Sequence, residues 1–194
     1  MSILKTQKDE QEYKEMHNDL FYLLYETYQT YYTLLHYDNF IKDKKYGFYE
    51  KSVYKFNYHL TYVFKSNFIV NIYKLLLDDE KNRNHINNII EHINSTAVNK
   101  VILPRVNTIQ NLSKEIIKAL KILRHTKLAH DAKKKTTAKI NILELKSSLD
   151  LIRKEFDNLP YKLEVNGMQF FSNELEKQID KDCYIALEML FNKK

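Results

Sequence analysis

The residues best suited to chemistry lie in one short stretch, Leu123-Arg124-His125-Thr126-Lys127-Leu128-Ala129-His130-Asp131, near the end of a strongly helical segment. Arg124 has a permanently charged, planar guanidinium that can bind phosphate oxygens. His130 has an imidazole, the side chain best suited to exchange protons near neutral pH. The two groups together could cleave RNA without a metal ion, because attack by the 2′-hydroxyl needs a proton acceptor and a group that stabilises the charged phosphorane.

The spacing of Arg124 and His130 restricts how they could act together. On an ideal helix, six residues separate the side chains by about 120° around the axis and about 9 Å along it, so the two do not share a face. The helix could loosen before His130, the Arg124 side chain could reach around it, or a two-fold dimer could pool both pairs in one cleft. Without chemistry, Arg124 would instead cap carbonyls or pair with a carboxylate, and His130 would satisfy a buried polar group.

Neighbouring residues provide possible support for this pair. His125 could be a second proton-transfer group, and Lys127 and Asp131 flank the same motif. The run Lys133-Lys134-Lys135 could hold an RNA backbone, although lysines in a connector are also typical of a solvated loop.

No metal site is predicted. His85 and His92 are seven residues apart on one predicted helix, and a rise of about 10.5 Å prevents them from binding one ion together. We therefore predict that both are surface residues. No cofactor is predicted either, because the sequence has no Gly-rich phosphate loop and no dinucleotide-binding fingerprint.

The composition favours one all-α domain spanning residues 1–194. Only 2 Gly and 2 Pro in 194 residues leave few positions for tight turns, so long helices are expected. A single cysteine, Cys183, predicts a reducing cytoplasmic environment and a small core residue. No apolar run is long enough to span a membrane. The net charge of +6 is compatible with a polyanionic partner such as RNA.

Apolar periodicity predicts an up-and-down bundle of about five to six helices. The first two predicted helices are long, from about Gln7 to Lys42 and from about Val53 to Leu76, and a short polar helix follows over 82–94. A fourth helix is predicted over 97–130, which Pro104 begins or kinks. The fifth runs from Ile142 to Leu159, where Pro160 stops it, and the last is capped by Ser172 or Asn173. A β-hairpin with Asn166-Gly167 at its turn is predicted near residues 161–171.

Beyond the Arg-to-His spacing, the order of elements resembles the HEPN superfamily. The shared features are a pair of helices, a long helix closed by an Arg-polar-x-x-x-Ala-His motif, an acidic residue after the His, and a further long helix. The helix from Ser66 to Asp79, the Asn-rich segment and the motif at 121–131 are most similar to the AbiU-type abortive-infection group. The resemblance covers residues 15–160, leaving the hairpin and last helix (161–194) as an addition.

This resemblance implies that Arg124 and His130 are the catalytic pair of a homodimeric endoribonuclease, acting as a toxin or in phage defence and restrained by an antitoxin or regulatory partner. His125 departs from the family, in which Asn is commoner at that position. Relatives that keep the fold and lose the activity leave a second hypothesis open, a non-catalytic helical module that binds RNA, nucleotide or protein. A third is a structural helical dimer, in which Arg124 would pair with a carboxylate of its own subunit.

Overall fold

The computed structural model describes residues 4–42, 51–78, 82–99, 102–128, 140–160 and 171–191. These ranges contain a 3₁₀ turn at Ile142–Leu145 and an isolated β-bridge between Leu4 and Ala97. They contain no β-strand beyond that bridge. The six helices of the described ranges are α1 (Gln7–Lys42), α2 (Lys51–Leu76), α3 (Ile86–Thr96), α4 (Lys114–Leu128), α5 (Lys146–Asp157) and α6 (Asn173–Phe191). The all-α prediction is confirmed.

Helix α1 is the centre of the fold. It begins in a reciprocal cap, since the Thr6 hydroxyl accepts from the Asp9 amide at 3.1 Å and Asp9 Oδ2 accepts from the Thr6 amide at 3.1 Å. Its apolar stripe then packs against α2, α3 and α6. Its most deeply buried apolar residues are Tyr13, Leu20, Leu24, Tyr28, Leu34 and Tyr37.

Helix α4, which carries Arg124, packs against α2. Its inward face presents Leu120 and Leu123 to the core, where both are buried. The Ser113 hydroxyl accepts from the Ile116 amide at 3.2 Å and so caps the first turn. Arg124 comes directly after the buried Leu123, so the packing of Leu123 in the core fixes the position of the Arg124 backbone.

The prediction of one helix over 97–130 is wrong for its first half, because the described residues between Val98 and Ser113 are not helical. Asn87 clamps this segment, since its amide donates to the Val106 carbonyl at 3.1 Å and accepts from the Val106 amide at 2.8 Å. Asn94 binds Leu103 in the same two-sided way, at 2.9 and 2.8 Å. The Asn side chains on α3 thus supply the backbone partners that a helix would otherwise supply internally.

A polar network joins α1 to α5 and α6. Lys146 Nζ donates to Asp150 at 2.6 Å and to Glu176 at 2.7 Å. The Tyr28 hydroxyl donates to Asp150 at 2.6 Å, and the Tyr32 hydroxyl donates to Glu176 at 2.6 Å. Each carboxylate therefore binds one hydroxyl and the shared Lys146 ammonium, which compensates for the partial burial of Lys146 and Glu176.

The C-terminal region agrees with the sequence where it is described. The Ser172 hydroxyl accepts from the Leu175 amide at 3.1 Å, which confirms the predicted start of the last helix. Cys183 is buried on α6, also as predicted. The predicted β-hairpin lies outside the described residues except for Phe171, whose ring is buried against Phe21 and Tyr28.

Candidate functional site

The site is built around Arg124, which is followed by the last four residues of α4. Its guanidinium Nη2 lies 3.6 Å from Asp78 Oδ2. Asp78 follows the end of α2 at Leu76, and its carbonyl accepts from the Asn82 amide at 2.9 Å. Thr108 also binds this region, because its hydroxyl donates to the Leu76 carbonyl at 2.7 Å. The clamped segment between α3 and α4 thus helps to hold the chain beside Asp78.

The aromatic ring of Tyr73 forms the second contact of Arg124. The guanidinium carbon lies 4.1 Å from the ring centroid, a separation typical of a cation–π interaction. Tyr73 is in the last turn of α2, five residues before Asp78, so the end of α2 and the residues that follow it supply both the stacking face and the carboxylate. The two contacts restrict the guanidinium to one orientation beside α2.

Arg124 is partly accessible to solvent, and its partner Asp78 is more deeply buried. Its side chain is 28% exposed, whereas that of Asp78 is 14% exposed. A guanidinium has five N–H donors, and a single carboxylate oxygen at 3.6 Å does not occupy them all. Arg124 can therefore bind a phosphate oxygen from the solvent side while Asp78 holds it from the other.

The side chains of the other predicted site residues are outside the described part of the chain. Five of these residues lie outside the described ranges altogether, namely His130, Asp131, Lys133, Lys134 and Lys135. The predicted pairing of Arg124 with His130 therefore stays a prediction. His125 and Lys127 lie on α4, and their side chains are outside the described part as well. The helix itself continues to Leu128, so the chain stays helical for four residues after Arg124.

The sequence did not indicate the two partners of Arg124. In the sequence, Asp78 is one of three consecutive acidic residues, and Tyr73 is one of 15 tyrosines. Their separation of five residues, with Tyr73 in the last turn of α2 and Asp78 just after it, is the only local signal. Only the packing of α4 on α2 identifies them as a pair.

The prediction that His85 and His92 are surface residues is wrong for His85, whereas His92 is partly exposed. His85 is fully buried, and its Nδ1 accepts from the Asn87 amide at 3.2 Å, so it caps α3. His92 Nε2 lies 2.9 Å from the Asp9 carbonyl and links α3 to α1. The imidazole nitrogen of His85 replaces the Ser or Asp oxygen expected of a helix cap, a substitution that apolar periodicity does not reveal.

The electrostatics around the site favour anions on α4. The outer side of α4 exposes three lysines in the turns before Arg124, namely Lys114, Lys118 and Lys121. Glu115 is the one exposed acidic residue between them. Within the described ranges, no group of three or more His, Cys, Asp or Glu side chains is arranged to hold a metal ion. None of the described helices is both long and apolar enough to cross a membrane.

Comparison of the chain with protein-family models, curated protein sequences and solved structures gave no match. The geometry around Arg124 and the chemistry of its motif are therefore the basis for assigning a function.

Proposed function

We propose that this protein is a metal-independent endoribonuclease of HEPN type, with Arg124 and His130 as its catalytic residues. The observation that supports it best is the arrangement of Arg124, which is oriented by Asp78 and Tyr73 yet remains 28% exposed. An arginine held in this way is suited to bind a phosphate repeatedly in one geometry. The fold family, the toxin or phage-defence role and the cytoplasmic location are parts of the same proposal.

The proposed reaction needs no external reagent. His130 accepts the proton of the ribose 2′-hydroxyl, and the 2′-oxygen attacks the adjacent phosphorus. Arg124 stabilises the added negative charge on the phosphorane oxygens. The bond from phosphorus to the 5′-oxygen then breaks, and that oxygen takes up a proton. The products are a 2′,3′-cyclic phosphate and a 5′-hydroxyl.

We propose that the site is completed by a second copy of the chain. Arg124 and His130 of one chain are six residues apart, and α4 remains helical for four residues after Arg124. Two motifs around a two-fold axis would provide both an acceptor for the 2′-proton and a donor for the 5′-oxygen. An antitoxin or regulatory partner would act by covering this composite cleft.

One observation favours the non-catalytic alternatives over the nuclease, and above all the structural helical dimer. Arg124 pairs with Asp78 of its own chain, which is the contact expected of a structural arginine. A carboxylate beside Arg124 also opposes the approach of a phosphate. The two hypotheses therefore differ in whether Arg124 serves a reacting phosphate or only the packing of α4 on α2.

Cleavage of a mixed-sequence single-stranded RNA in the presence of a chelator distinguishes them. The wild type is compared with Arg124→Ala and His130→Ala, and with Lys154→Ala as a matched surface control. The proposal predicts cleavage by the wild type and the control only. Equal inertness of all four proteins, with RNA binding retained, would favour the module. Equal cleavage by all four would reject the residue assignments.

A further inference from the structure

We propose that the outer face of α4 is the surface on which the RNA backbone lies, with Lys114, Lys118 and Lys121 as its phosphate contacts. This inference depends on the proposed function for the identity of the polyanion. It adds a binding surface and a direction, because the three lysines lead along one helix to Arg124. Nothing in the motif itself identifies them.

The helix geometry places the three lysines in one row. At 100° per residue, positions 114, 118 and 121 lie within about 60° of one another and span about 10.5 Å along the axis. Arg124 comes one turn later, about 80° around the helix from this row. A strand that follows the row thus reaches the exposed side of the guanidinium.

The burial of α4 defines which face is available. Leu120 and Leu123 are on the opposite side and are buried in the core, whereas all three lysines are exposed. Within the described part of the chain, none of the three ammonium groups forms an ion pair. The row is therefore available to phosphates without breaking an existing ion pair.

The same charges do not fit an anionic membrane equally well. A basic amphipathic helix that binds a membrane inserts its apolar face. The apolar face of α4 is already committed to the core through Leu120 and Leu123, and the exposed face offers only Ile122, which is 37% exposed. A row of lysines without an accessible apolar face is typical of backbone contact with a nucleic acid.

Binding is tested separately from cleavage with a fluorescein-labelled 2′-O-methyl RNA, which lacks the attacking hydroxyl. Fluorescence anisotropy gives Kd at several salt concentrations for the wild type and for the triple variant Lys114→Gln, Lys118→Gln, Lys121→Gln. The control triple variant Lys154→Gln, Lys177→Gln, Lys181→Gln removes the same charge from exposed positions on α5 and α6. Circular dichroism establishes that both variants are folded.

The proposal predicts that the α4 variant binds severalfold more weakly and that its slope of log K against log salt is smaller by about 2, since each lost single-strand phosphate contact lowers the slope by about 0.7. The control variant should keep the slope of the wild type. Equal losses in both variants would overturn the proposal, as would no RNA binding by the wild type. Failure of Arg124→Ala to abolish cleavage would reject the nuclease assignment and leave this binding result unaffected.

Discussion

Asp78 and Arg124 join the end of α2 to α4 through a single carboxylate–guanidinium contact of 3.6 Å. The pair is only partly exposed, and Tyr73 stacks on the same guanidinium at 4.1 Å. If Arg124 binds a reacting phosphate, Asp78 acts as a positioning residue. If Arg124 is structural, Asp78 contributes to stability alone.

The substitution Asp78→Asn separates these roles. It keeps the size of the side chain and removes its charge, so Arg124 should lose its fixed orientation. We expect kcat for RNA cleavage to fall about tenfold, because misplacement of a group that stabilises the transition state slows the chemical step. The free energy of unfolding should change by about 1 kcal/mol or less, as is usual for a single partly exposed ion pair.

The control for this prediction is Asp78→Glu, which keeps the charge and should restore part of kcat. Single-turnover cleavage and urea denaturation are measured on the same preparations. A loss of stability with unchanged kcat in Asp78→Asn would show that the contact is structural.

Removal of Lys146 tests the polar network between α1, α5 and α6. The side chain is 23% exposed and binds both Asp150 and Glu176. Burial alone lowers the pKa of Lys146, but the hydrogen bonds to Asp150 and Glu176 outweigh it, so the pKa is raised overall. Lys146→Met should reduce the free energy of unfolding by about 2–3 kcal/mol, because Asp150 and Glu176 lose the ammonium hydrogen-bonded to both. The cation that remains beside them is Arg153, whose Nε lies 4.0 Å from Asp150 and 3.5 Å from Glu176.

Lys154→Met is the matched substitution, since Lys154 is exposed on the same helix. Its free energy of unfolding should remain within about 0.5 kcal/mol of the wild type. Equal effects of the two substitutions in urea denaturation would show that the network adds nothing to stability.

The buried imidazole of His17 predicts an acid-sensitive fold. Burial lowers its pKa from 6.5 to about 4, and its ring packs 4.4 Å from that of Phe156. The unfolded chain binds a proton at His17 more readily than the folded chain, so protonation of His17 favours unfolding. The free energy of unfolding is therefore unaffected by His17 above pH 6.5 and decreases as the pH falls towards 4. The expected loss is about 3 kcal/mol by pH 4.

Urea denaturation at pH 7, 5.5 and 4 measures this effect against His17→Leu, which has no titrating group there. The variant should lose less stability than the wild type over that interval. Parallel pH profiles for the two proteins would show that His17 does not contribute to the acid sensitivity.

The clamp formed by Asn87 on Val106 is expected to be a major determinant of the loop between α3 and α4. Asn87 is buried, so Asn87→Ala leaves the Val106 amide and carbonyl without their partner. We expect a loss of about 2–3 kcal/mol in the free energy of unfolding and faster hydrogen exchange at the Val106 amide. The exposed Asn99→Ala should change neither, and protection of Val106 in both variants would contradict the assigned role.

The helices could be predicted where local pattern and local caps determine them. The bounds of α1 follow from its apolar stripe, and α6 begins where Ser172 predicts. The segment before Lys114 could not be predicted, because side chains of another helix, Asn87 and Asn94, hold it in a non-helical conformation. The motif identified Arg124, whereas its partners Tyr73 and Asp78 depend on the packing of α4 against α2, which a single sequence does not specify.

The most direct test of the central proposal is analysis of the RNA ends produced by wild type, Arg124→Ala and His130→Ala with chelator present. We predict 2′,3′-cyclic phosphate and 5′-hydroxyl ends from the wild type, and a loss of at least about 100-fold in rate for each variant. Cleavage by either variant at the rate of the wild type, or products with 3′-hydroxyl ends, would contradict the proposed mechanism.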